Sequence, residues 1–272
     1  MESQEKKKKD HPLPWLNMMV TEPFYLFHFL AFFSYFVARF SSSSSSSSSQ
    51  SLSPDLSHHN LLRREIQAIL AFLLLAAIKL VKEETWEAFI ADTLFFAKGF
   101  LIAVALVMDY HLALCYMVGF LVIFILTQQP AYDGLGNSSH LTPLQLETLL
   151  TEGNTSRFWL VEFRALCSST CIRTSRYFPD LSITYSNKNI SFGIVDLGHF
   201  PNAADKFGIS LGGNLLSMGQ LPTYILFDNA VEVARFPEVE FEVKSFTPKL
   251  TKGLLCRHFE LDRHLLGYVA AK

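Results

Sequence analysis

Val161-Glu162-Phe163, then Ser168-Ser169-Thr170-Cys171, and fifty residues later Leu221-Pro222-Thr223, are the stretches on which the fold turns. Phe158 to Phe163 is a mostly apolar run, as a strand buried on both faces requires. Cys171 to Tyr185 reads as the helix that follows it, and Phe192 to Leu197 as a second strand. Thr223 to Asp228 and Val231 to Phe236 form a hairpin across Asp228-Asn229-Ala230. Upstream, Thr142-Pro143 opens a helix carrying Leu144, Leu146, Leu149 and Leu150, and Thr251 to Val269 closes the chain as another. The order α-β-α-β, then β-β-α, predicts a mixed sheet flanked by helices over residues 131–272.

Before residue 131 the character is different. Half of the chain is apolar and only 18% is charged, which a soluble protein of 272 residues rarely combines. Lys6 to Lys9 precede a hydrophobic run from Pro23 to Ala38 that stops at Arg39. An aromatic-rich run ending in arginine predicts an uncleaved signal-anchor over residues 1–40 rather than a removed leader. Ser41 to Ser49 opens a polar spacer over residues 41–60, too poor in apolar surface to offset its ordering entropy.

Residues 61–130 form the helical membrane region. Ile66 to Ile78 and Gly99 to Met108 are short apolar runs, and Phe95 to Met108 is expected to dip into the membrane or pack. Tyr110 to Gln129 is long enough for a hydrocarbon core of ~30 Å at ~1.5 Å per residue, which places a transmembrane segment near 110–129. A carboxylate at mid-membrane costs ~2.5–3.5 kcal/mol, so Asp109 belongs at an interface. Lys82 to Asp92 reads as an amphipathic surface helix. The lysine cluster argues for a cytosolic N-terminus. An even number of crossings then leaves the C-terminal domain in the cytosol, and an odd number puts it in the lumen. The triplets at Asn137, Asn154 and Asn189 would accept glycan only in the lumen.

A formal net charge of −2 recommends no nucleic acid. Four cysteines are too few for a disulfide framework. The histidines His58, His59, His199, His258 and His264 lack metal-ligand spacing with any cysteine pair, so no metal and no cofactor are expected.

The element order, with Val161-Glu162-Phe163 before the helix bearing Cys171 and Leu221-Pro222-Thr223 before the hairpin, resembles the thioredoxin superfamily over residues 138–270. The run from Glu22-Pro23-Phe24-Tyr25, the phenylalanine-rich anchor ending at Gln129-Pro130 and the long loop from Ser210 to Gln220 are similar to the thioredoxin-related transmembrane protein family. That resemblance implies an α/β thioredoxin-like fold behind a membrane anchor, with the endoplasmic reticulum membrane as its place. It implies roles for individual residues too. Glu162 falls on the buried acid that moves protons from the resolving thiol, and Cys167 on the tryptophan before the motif. Ser168 takes the place of the nucleophilic cysteine, Cys171 that of the resolving one, and Pro222 that of the cis-proline facing them. Asp196 matches an acid ending the third strand.

Each type carries a chemical consequence. An attacking thiol works as thiolate, which a helix N-terminus favours. The serine hydroxyl at 168 does not ionise near neutral pH and forms no mixed disulfide. A cis X-Pro bond turns Leu221 outward, where it can pair with an extended client chain as a strand would. The expected function is a membrane-tethered module that binds client proteins around Ser168, Cys171 and Leu221-Pro222-Thr223, with weak or no redox activity; a homodimer stays open. The alternative is a thiol–disulfide oxidoreductase. A Cys167–Cys171 bridge, needing Cα atoms within ~7 Å, would be strained and reducible, with Cys167 the exposed nucleophile. Plainer roles stand beside these: Glu162 as a half-buried acid, Pro222 as a turn-former, and Cys171 and Cys256 as core packing.

Overall fold

The computed structural model describes residues 21–46, 55–152, 158–211, 221–238 and 249–270. Lys6 to Lys9, the Asn154 triplet and most of the loop from Ser210 to Gln220 lie outside them. The described chain divides into two compact units. One takes residues up to 82 and 92–130; the other takes Glu83–Ala91 and the chain from Ala131 onward.

The first unit is helical: α1 (Pro23–Ser46), α2 (Asp55–Lys82), α3 (Trp86–Met108) and α4 (Tyr110–Leu126). Among the described residues, two stretches are long and apolar enough to cross a membrane, Pro23–Ser41 and Trp86–Met108. The elements differ in places from the sequence expectation. Residues 82–92 and 95–108 were read as separate pieces, yet α3 runs through unbroken from Trp86, because nothing in it denies a helical hydrogen bond and Gly99 alone is a tolerated cost. The apolar run from Tyr110 yields a helix of 17 residues that stops at Leu126. Thr127 turns extended there and folds both its amide and its hydroxyl onto the Ile123 carbonyl. The serine tract does not begin as a spacer: α1 continues through Ser46, since serine is a middling helix former and an existing helix propagates cheaply. Asp109 caps α4 by accepting from the His111 amide at 3.0 Å. Polar ties are few. Tyr35 donates to Glu65 at 2.9 Å, Arg39 pairs with the same carboxylate at 3.0 Å, and Ser34 meets the Tyr116 hydroxyl at 3.1 Å.

The second unit is built on a five-stranded sheet: β1 (Ser139–His140), β2 (Phe158–Arg164), β3 (Ile190–Asp196), β4 (Thr223–Asp228) and β5 (Val231–Phe236). The strand order is β1-β3-β2-β4-β5. The first three are mutually parallel, while β4 and β5 run antiparallel. The helices are α5 (Pro143–Glu152), α6 (Ser169–Thr174), α7 (Tyr177–Tyr185), α8 (Asn202–Lys206), α9 (Lys252–His258) and α10 (Leu261–Ala270). Side chains of β2 alternate between two buried layers. Trp159, Val161 and Phe163 pack with Leu146, Val195 and Ile225 on one face. Leu160 joins Phe178, Phe192, Ile194 and Tyr224 on the other. Alternation at period two thus sends Glu162 into an apolar layer.

Local chemistry explains the ends. Thr142 and Gln145 make a reciprocal capping box in front of Pro143, the first residue of α5. The helix expected from Cys171 to Tyr185 is two helices. Pro179 has no amide hydrogen and its ring blocks the carbonyl four residues back, so it is accommodated only in the first turn of a fresh helix. The C-terminal helix is likewise divided at Glu260, whose φ of +48° is left-handed and ends α9. Asn229 and Ala230, both at positive φ, make the tight turn between β4 and β5. Gly136, at φ +58°, lies where a Cβ would come within 2.4 Å of the Pro179 carbonyl oxygen. The segment Glu83–Ala91 packs in this unit through its polar start. Glu83 pairs with Lys249 at 2.8 Å, Glu84 accepts from the Lys252 amide, and the Thr85 hydroxyl donates to the Arg173 carbonyl.

Candidate functional site

The site forms where β2 ends and α6 begins. The chain turns at Ala165, whose carbonyl accepts from the Ser168 amide at 2.9 Å. Ser168 is then the N-cap of α6, with extended backbone, and its own carbonyl accepts from the Ile172 amide. Its side chain is buried and makes no capping bond. Cys171, three residues on, is 1% exposed. Burial pushes its thiol up to about 11, and the Glu162 charge adds to this. Hydrogen bonds with the Ala165 backbone and the Ser168 side chain, and the Arg164 charge, only partly oppose it. The helix start favours a thiolate, but desolvation wins at this depth.

Glu162 is wholly buried. It stands between Ile194 on β3 and Tyr224 on β4 in the sheet register. The Tyr224 hydroxyl donates to its Oε1 at 3.1 Å, while Oε2 is buried with no hydrogen-bond partner. Desolvation raises its carboxyl to about 7, against the Arg164 charge and the Tyr224 hydrogen bond. Burial and the neighbouring carboxylate hold the Tyr224 phenol well above its usual range, so it stays a donor. The group at 162 therefore titrates near neutrality, the condition for passing protons to and from a neighbour.

Arg164 and Tyr224 are the residues that sequence reasoning missed. Arg164 is buried, its Nε has no hydrogen-bond partner, and it stands opposite Asp196 in the register. An arginine closing a strand that already carries a buried acid was the available signal. Asp196 itself serves the turn after β3, accepting from the Gly198 amide at 2.8 Å and pairing with His199 at 3.2 Å.

Thr223 pairs with Phe163 across β2 and β4, which sets Pro222 beside the turn out of β2. The Leu221–Pro222 peptide bond is cis. Leu221, Pro222 and Thr223 are all buried, so these side chains pack inward instead of lining an open surface. The exposed apolar groups are Leu166, just after β2, and Phe200, just after β3. Cys167 is exposed, and neither it nor Cys171 is in a disulfide. Cys256 is partly buried against the core, as its place on an amphipathic helix suggested, but it also meets the Tyr185 hydroxyl at 3.0 Å.

No protein-family model matches the chain. Among curated proteins, thioredoxin-related transmembrane protein 2 of Xenopus tropicalis is 26% identical over 253 residues, covering 93% of this chain and 86% of that protein. The Drosophila melanogaster homolog of the same protein is 26% identical over 242 residues, covering 85% and 86%. Among solved structures, the reduced Schistosoma mansoni thioredoxin is 26% identical, with a TM-score of 0.30, over 41% of this chain and 99% of that one. The similarity runs through both the helical region and the sheet domain, so the chain is similar along most of its length to the thioredoxin-related transmembrane protein 2 sequences.

Proposed function

We propose that the chain is a membrane-anchored thioredoxin-like module of the endoplasmic reticulum membrane that binds client proteins beside a cysteine site retired from redox turnover. The observation that carries this reading is the pairing of Ser168 at the helix start with a buried Cys171 whose thiol is raised to about 11. The first cannot form a mixed disulfide and the second is rarely a thiolate at neutral pH. Exposed Leu166 and Phe200 at the ends of neighbouring strands support client contact there. The cis Leu221–Pro222 bond supports a backbone edge next to the same place. Membrane anchoring is supported by the two long apolar helices, and the endoplasmic reticulum by the family resemblance.

One observation favours a second reading, thiol–disulfide oxidoreduction through Cys167 and Cys171: Cys167 is exposed at the mouth of the site. Thiol trapping in intact membranes separates the two, comparing wild type with Cys167→Ser and Cys171→Ser. The binding module keeps both thiols reduced and yields no client adduct. A reducible bond between them, or an adduct lost in either variant, establishes the oxidoreductase. Client capture that survives Leu166→Asp and Phe200→Asp would remove the binding surface from consideration.

A further inference from the structure

By length and composition α2 falls short of a membrane span, because Glu65 and Lys79 bound its apolar run. Its surroundings point the other way. Ile66 to Ile78 carries no charge. One face of this run turns toward other helices, and the ring of Phe72 meets that of Phe100 on α3 at 5.8 Å. The opposite face looks outward: Ile66, Ile69, Leu70, Leu73, Leu74 and Ile78 are 53% to 64% exposed. At ~100° per residue they cover roughly half of the helix circumference.

The neighbours fix the direction of α2. Lys79 pairs with Asp92 near the start of α3, while Phe72, further back on α2, meets Phe100, further along α3. The two helices therefore lie antiparallel, and α3 is long and apolar enough to cross a membrane. A helix laid antiparallel along a crossing helix crosses with it. At its other end, Glu65 takes Arg39 and Tyr35, which close the apolar stretch of α1. Both charges that bound the run are thus paired, and near a bilayer surface they cost far less than at its centre. Just outside them, exposed Arg64 and Lys82 stand ~27 Å apart along the helix, close to a hydrocarbon core of ~30 Å. Their long stems reach the headgroups and make up the difference.

The last helix returns in the same manner. Only Asp109 separates α3 from α4, and Leu101, Ala105 and Ala113 of the two pack in one cluster. Ser34 of α1 meets Tyr116, while Phe32 and His28, nearer the start of α1, meet the ring of Phe120, further along α4. Those two helices are antiparallel as well, and the 17 residues of α4 rise about 25 Å.

We propose that α2 is a membrane-crossing helix whose outward face is covered by the acyl chains of the bilayer. With α1, α3 and α4 it makes four alternating crossings, so the chain leaves the membrane after Leu126 on the side from which it entered at Pro23. With Lys6 to Lys9 on the cytosolic side, the Ser168–Cys171 site is cytosolic and the triplets at Asn137 and Asn189 stay unglycosylated. The crossings do not depend on what the sheet domain binds; that its clients are cytosolic rests on the client-binding reading.

The test uses the full chain in sealed endoplasmic reticulum vesicles, cytosolic face outward. A membrane-impermeant maleimide is added before or after detergent, and the modified cysteines are read by peptide mapping. Cys167 and Lys82→Cys should be modified before detergent, Ser47→Cys and His111→Cys only after it. Protection of Lys82→Cys would show that α2 does not cross, and early modification of His111→Cys that α4 does not; either overturns the proposal. The mirror pattern, or a glycan at Asn137 or Asn189, overturns the cytosolic placement. Should Lys82→Cys not insert, a bimane label on Leu74→Cys decides. Brominated phosphatidylcholine should quench it more strongly than a label on Ser47→Cys, and equal quenching overturns the lipid-covered face. None of these readouts involves a client, so their failure leaves the client-binding reading where it stands.

Discussion

Phenylalanine fills the core of the sheet unit, whereas several phenylalanines of the helical unit face outward. In the sheet unit Phe163, Phe178 and Phe192 are at most 1% exposed. In the helical unit Phe29, Phe33 and Phe124 are 64%, 54% and 75% exposed. The same side chain loses water by entering a core in the first case and by entering a bilayer in the second. Both units bury polar groups: the sheet unit has Glu162 and Arg164 at its site, and the helical unit pairs Lys79 with a buried Asp92. The sheet unit thus closes two buried layers, whereas the helical unit has one small cluster around Leu101, Tyr116 and Phe120 and leaves many large apolar side chains facing outward.

The sharpest way to break this comparison is to shorten one phenylalanine in each unit. Phe178, whose ring meets both Phe192 and Tyr224, should cost ~3–5 kcal/mol on replacement by alanine, read as a lower urea midpoint of the sheet domain's unfolding. Phe33→Ala should leave that midpoint where it is, because its ring has no core to vacate. Equal shifts in the two variants would contradict the division.

A titration sharpens it next. Glu162 moves from an ordinary 4.5 to about 7 in the fold, so the native state binds the extra proton between those values. Stability from this group is fully present below pH 4.5 and is lost as pH rises through 7. Glu162→Gln should remove the slope and gain on the order of 3 kcal/mol over wild type above neutrality, an upper figure from the size of the shift. Unfolding curves at pH 5 and pH 8 check this: a wild type more stable at pH 8 than at pH 5 would overturn the burial argument.

Thiol kinetics give the third probe. Cys171, at about 11 against an ordinary 9.0, should react with iodoacetamide on the order of 100-fold more slowly than a model thiol at the same pH, from thiolate fraction alone. Mass mapping after brief labelling measures it, and rapid modification of Cys171 would mean the site opens. The smallest effect is at a helix start: Thr142→Ala removes half of the capping box and should lower the sheet domain's stability by ~1 kcal/mol.

Much of this was legible in the residues. Alternating and continuous apolar runs gave away β2, β4 and β5, and a serine at 168 three residues before Cys171 needs no coordinates to see. Helix ends were less legible, because Pro179 and Glu260 act through local backbone geometry that a periodic pattern passes over. What the chain order alone determined is the kind of fold: apolar helices first, then a mixed sheet flanked by helices. Only tertiary structure decided how the site behaves. Depth sets the Cys171 thiol high and brings Glu162 near neutrality, and depth arises from layers contributed by strands far apart in sequence. The partnership of Glu162 with Tyr224 spans 62 positions, and no local pattern records it. Burial of Leu221, Pro222 and Thr223 was decided in the same way, by what packs over them.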